Sequence, residues 1–214
     1  MIQRLGLLGV MLLSAGLALA QTCSIDMGRG WPAGMANYGQ AAAALLGGEP
    51  SQGVAWLDLP KRGEESQLLL EPSADGMWRV LHAVADTRIH HVVADRSSFG
   101  VQLRLQQEPK VRQAPIPEGL ARRIVAAWKQ VVLPLALDAR EPPLIDSENA
   151  ASLLIDGKRL SGHMPNCMAI NRLTDINLLL VDLAGSSERK HEKRYEAIAR
   201  ALDKYEERLA AGKI

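Results

Sequence analysis

Residues 67–84 read QLLLEPSADGMWRVLHAV, and this stretch decides the fold class. Two apolar runs, Gln67 to Glu71 and Met77 to Val84, flank Pro72-Ser73-Ala74-Asp75-Gly76. Turn residues clustered between two strand-like runs mark an antiparallel hairpin. Upstream, Val54-Ala55-Trp56-Leu57 is a short apolar run ended by Pro60. Downstream, Arg88 to Ala94 crosses an Asp95-Arg96-Ser97-Ser98 turn into Phe99 to Gln106. There the odd positions are apolar and the even ones mostly polar, the clearest period-two alternation in the chain. Four to five consecutive strands joined by short turns make an antiparallel β-meander, which Pro115 to Pro117 end. Farther on, Asp156-Gly157 between Leu153-Leu154-Ile155 and Lys158-Arg159-Leu160 predicts a C-terminal β-hairpin with a type I′ turn.

Helical patterns surround these strands. The alanine run Ala41 to Ala44, with Gly47-Gly48 as a stop, predicts a helix from Ala36 to Leu46 that Gly39 weakens. Leu120, Ile124, Ala127, Trp128, Val131 and Leu135 follow Pro117 and Glu118 at three- and four-residue steps. Pro134 is expected to end or kink that helix near Leu133. Leu173, Ile176, Leu179, Leu180 and Leu183 mark a third helix that Gly185 caps. The last helix, Glu188 to Ala211, carries Tyr195, Ile198, Leu202, Tyr205 and Leu209 at alternating steps of three and four. Two heptads are short for a coiled coil, so this stripe is expected to dock on the body. The fold class is α+β, with three to four helices packed on the strands, and residues 21–214 form one domain.

Residues 1–20 have the parts of a secretory signal peptide. Arg4 is the only charge before Asp26, Leu5 to Leu17 is apolar, and Ala18-Leu19-Ala20 fits the cleavage pattern. An uncleaved anchor is the competing reading, because about 20 apolar residues span a bilayer. Gly9, Ser14 and Gly16 interrupt the run, and Gln21-Thr22 follow it, so no stable membrane anchor is expected after cleavage. Gln21 and Thr22 before Cys23 also speak against lipidation. Export, to the periplasm or the medium, makes a disulfide the first reading of the only two cysteines, Cys23 and Cys167. It would close a loop of about 145 residues, worth roughly 5 kcal/mol on the chain-entropy model.

Composition narrows the partners. Without Arg4 the chain carries 24 basic and 24 acidic side chains, a balance that argues against nucleic acid or an anionic membrane surface. Aromatic residues make up 4% of the chain, little area for stacking sugars or bases.

Candidate chemistry is sparse. His82, His90 and His91 lie in the meander, with Asp86 and Asp95 nearby in sequence. On a strand, His90 and His91 point to opposite faces, whereas His82 and His90 approach if Asp86-Thr87 turns the chain. No ligand spacing of a zinc site is present. His163, Met164, Cys167 and Met168 offer soft ligands of the kind copper takes, but a bond from Cys167 to Cys23 removes the thiolate. The expected roles are therefore a disulfide at Cys23 and Cys167, a histidine cluster at His82, His90 and His163, and no metal or cofactor. Glu64-Glu65 and Asp138-Glu141 are carboxylate pairs in loops without an identifiable partner. Ser187-Glu188-Arg189-Lys190 matches S-x-x-K but opens a charged, solvated helix. Neither a nucleophile elbow nor a phosphate-binding glycine loop occurs.

These readings point to an exported, non-catalytic protein that binds a protein partner or ligand. Two alternatives differ in what they require. An exported hydrolase needs a cleft holding two or more of His82, Asp86, His90, Asp95 and His163. A subunit of an envelope complex needs an exposed stripe along Tyr195, Leu202 and Leu209.

Overall fold

The computed structural model describes residues 27–31, 36–95, 98–138, 150–163 and 167–213. The leader and Cys23 lie outside the described residues. The elements in chain order are β1 (Met27–Arg29), α1 (Ala36–Leu45), β2 (Val54–Leu59), β3 (Ser66–Pro72), β4 (Trp78–Val84), β5 (His90–Asp95), β6 (Ser98–Leu103) and β7 (Lys110–Ile116). There follow α2 (Glu118–Asp138), β8 (Ala150–Ile155), β9 (Lys158–Gly162), α3 (Met168–Ala184) and α4 (His191–Ala210), the last entered through a short 3-10 turn at Glu188–Lys190.

The class is α+β, as the sequence predicts. Seven strands form one antiparallel sheet in the order β1-β9-β8-β2-β3-β4-β7, and β5 and β6 pair only with each other in a second sheet. The C-terminal hairpin joins the large sheet through β8, which lies beside β2. Its turn has Asp156 at φ 49° and Gly157 at φ 72°, the two positive values a type I′ turn requires. Residues 66–72 and 78–84 form the hairpin read from the opening stretch, paired from Ser66 opposite Val84 to Pro72 opposite Trp78.

The sheet is covered on both faces. Leu68, Leu70, Trp78, Val80, Leu153 and Ile155 face α2, α3 and α4. Leu57, Leu69, Leu81 and Leu154 face α1, where Tyr38, Ala42, Ala43 and Leu46 pack. A central strand buried on both faces reads as a continuous apolar run, hence Leu68-Leu69-Leu70. The α4 stripe docks on the body: Ile198, Leu202 and Tyr205 are buried, and Tyr195 and Leu209 pack beside them. The exposed stripe that an envelope-complex role requires is therefore absent from α4.

Two details differ from the sequence expectation. The helix at Glu118 does not stop at Leu133 but continues through Pro134 to Asp138. Of the two outcomes expected at Pro134, the stop does not occur: one missing N–H costs one backbone bond, and helical bonding resumes beyond it. The strongest alternating stretch, now β6, stands outside the main sheet. Alternation reports an amphipathic strand, not which neighbour it pairs with.

Candidate functional site

The predicted histidine cluster does not assemble. His82 shares the face of Trp78 and Val80 on β4 and lies opposite Arg112 of β7, on the helix side of the sheet. His90 lies on the other side, its ring 4.9 Å from that of Tyr38. His163 follows β9, four strand positions from β4, which is roughly 19 Å at ordinary strand spacing. Asp86 pairs with Lys110 at 3.0 Å. Asp95 ends β5, five residues along the strand from His90. Among the described residues no three His, Cys, Asp or Glu side chains converge as metal ligands. The cleft the hydrolase reading requires is not formed by these groups.

A different polar cluster is built around Glu65, which is 0% exposed. Its Oε1 accepts the Tyr38 hydroxyl at 2.6 Å and the His90 N–H at 3.1 Å, and its Oε2 accepts the Ile89 N–H at 2.7 Å. The Glu65 carbonyl accepts the Ala85 N–H. Arg88 reaches back to the carbonyls of Pro60 and Lys61. Burial, then the hydrogen bond to Glu65, holds the Tyr38 hydroxyl far above the ordinary tyrosine value. Burial, then the charge of Arg88, lowers His90, and burial, then Arg112, lowers His82. Both imidazoles are therefore neutral at pH 7. A carboxylate closed to solvent cannot meet a substrate. Its donors come from α1 and the start of β5, so it ties the small sheet and α1 to the large one. Of the pair Glu64-Glu65, the sequence gives no sign that one is exposed and the other buried.

A cavity between the sheet and α2 and α3 is lined by Trp56, Leu68, Ile124, Trp128, Asn177 and Leu180 among others. Asn177 is 7% exposed and accepts the Trp128 indole N–H at 3.3 Å. The cavity volume is about 10 Å³, room for a single water and not for an organic substrate.

Among the described residues, β7 ends the seven-stranded sheet with one side of its backbone unpaired. Lys110 to Gln113 are all exposed, and Val111 is 54% exposed. In an antiparallel pair, alternate residues turn their N–H and C=O toward the partner strand and the others turn them away. Pro115, opposite Arg79, has no N–H to give β4, and its carbonyl accepts the Tyr195 hydroxyl at 2.8 Å. Pro115 therefore faces outward, and Gln113 and Val111, two and four residues before it, do the same. Arg112, Ala114 and Ile116 bond to β4. The result is an exposed row of two backbone donors and two acceptors beyond the end that Tyr195 covers.

Pro115 and a polar composition hid β7 from the sequence pattern, because an edge strand buries little: only Ala114 and Ile116 are covered. Cys167 is buried at the N-terminus of α3. No described helix is long and apolar enough to cross a membrane. No protein-family model, curated protein or solved structure matches the chain.

Proposed function

We propose that this chain is an exported, non-catalytic protein, periplasmic or secreted, that binds a protein partner along the outer edge of β7. The open row at Val111 and Gln113 carries the reading. Unpaired edge groups are a template for another strand, and natural edges guard against unwanted pairing with charge, proline or a cover. β7 carries Lys110, Arg112 and Pro115, so the strand it would admit is one of complementary charge.

Export rests on the leader and is supported by the cysteine positions. β1 pairs with β9 from Met27 opposite Gly162 to Arg29 opposite Leu160. In sequence, Cys23 stands four residues before Met27 and Cys167 five residues after Gly162. A Cys23–Cys167 disulfide would then join the mature N-terminus to the start of α3, and the oxidising compartment supplies the means.

The test places a photo-reactive amino acid at Gln113, and in a control at Leu178, an exposed position on α3, with the full-length chain expressed in its own cells. The reading predicts a crosslinked protein adduct from position 113 and none from 178. Exported, folded protein that yields no adduct from 113 would overturn it.

A further inference from the structure

We infer that the β7 edge accepts an extended acidic peptide segment that sets a carboxylate against Arg112, a claim that rests on the edge being the binding surface. The outward groups of Val111 and Gln113 set the shape of the occupant. They repeat every second residue, about 6.6 Å apart, a spacing that an extended backbone matches and a helix does not.

The side chains set the chemistry. β7 contains Lys110 and Arg112 and no acid. Both residues are exposed and share one face, since they are two apart on a strand. Lys110 is answered by Asp86. Arg112 lies across the end of α3, its Nη1 3.3 Å from the place a Cβ would take at Gly185. The carbonyl end of a helix favours a cation there, but no acidic side chain among the described residues pairs with it. A carboxylate on an added strand would do so.

The same charges exclude a second copy of this chain as the occupant. The two-fold pairing that joins Val111 to Gln113 of another copy sets Arg112 against itself, and like charges directly opposite one another oppose pairing. Pro115 denies a donor to the next register. The edge therefore resists self-association and admits an acidic strand.

Two short peptides of one alternating pattern, Thr-Glu-Val-Glu-Val-Glu-Thr and Thr-Lys-Val-Lys-Val-Lys-Thr, test this by fluorescence anisotropy at low salt. The acidic peptide should bind at least about tenfold more tightly than the basic one, with the margin narrowing as salt screens the pair. Arg112→Glu should invert the preference. Val111→Pro removes an outward N–H that β4 does not use, as Pro115 already does without loss of the strand, and should abolish binding of both peptides. Thermal unfolding of each variant confirms that it folds. Equal binding of the two peptides, or a preference unmoved by Arg112→Glu, would overturn the acidic specificity and leave the edge as a binding surface. Absence of binding by either peptide, with an adduct still formed at position 113, would overturn the extended-strand claim alone. Loss of the adduct as well would overturn both.

Discussion

Gly39 sits inside α1, where glycine costs about 1 kcal/mol against alanine. The structure supplies the reason it is there. A Cβ at this position would stand 2.3 Å from the Trp31 ring. The same ring stacks on the Arg159 guanidinium at 3.9 Å, and Arg159 in turn pairs with Glu49 at 2.6 Å. Burial lowers Arg159, and Glu49 offsets part of that cost. Gly39→Ala should destabilise the protein by about 1–3 kcal/mol in urea unfolding, as overpacking does. In a Trp31→Ala background the same change should stabilise by up to about 1 kcal/mol, because only helix propensity remains. The same sign in both backgrounds would show that the ring does not occupy that space. Sequence alone registers Gly39 as a flaw in a helix. Only the tertiary neighbour, eight residues away, turns it into a fitted site. Gly53 is a stricter case: its φ is +103°, and a Cβ would meet the Leu70 carbonyl oxygen at 2.0 Å.

At the scale of elements, Glu65 explains how a two-stranded sheet stands beside the large one. An isolated two-stranded hairpin is marginal in water. Here the N–H groups of Ile89 and His90, at the root of β5, end on a buried carboxylate. Glu65→Ala would strand those two donors and the Tyr38 hydroxyl, at about 1–3 kcal/mol for each one left unsatisfied. The expected result is a loss of about 3 kcal/mol or more in urea unfolding, with hydrogen exchange accelerating first in residues 89–103. Uniform acceleration across the molecule would contradict the local role. The helix at α1, the turns and the apolar run of β3 were legible because local chemistry fixes them: Asp156-Gly157 takes positive φ, and Ala41 to Ala44 favour helix. The pairing of β5 with β6 alone, the strand at β7 and the burial of Glu65 were not. Each depends on which segments lie alongside, and a local pattern does not carry that.

For the whole molecule, the two faces of the sheet respond together to acid. His82 and His90 lie on opposite faces, and burial lowers both below the ordinary value of 6.5. Below that pH the unfolded chain takes up protons that the folded chain refuses. Their contribution to stability is therefore present above pH 6.5 and lost as pH falls through the folded values. Urea midpoints should drop between pH 7 and pH 5, and less so in the His82→Asn variant. A midpoint that rises over this range would contradict the assignment. At the alkaline end, burial and the Glu206 charge push the Tyr205 hydroxyl up to about 12. Its share of stability persists until pH exceeds the unfolded tyrosine value and is then lost. The proposed Cys23–Cys167 bond adds a redox handle: exported protein should migrate faster without reductant, and free thiols in that material would contradict the bond.

The account turns on one edge of one sheet, and amide hydrogen exchange of the free protein reads it residue by residue. In β7 the N–H groups of Arg112, Ala114 and Ile116, directed into β4, should be protected. Those of Val111 and Gln113 should exchange at rates near those of an unstructured chain. Equal protection at all five positions would mean that the edge is already occupied, and would contradict the claim that it awaits a partner.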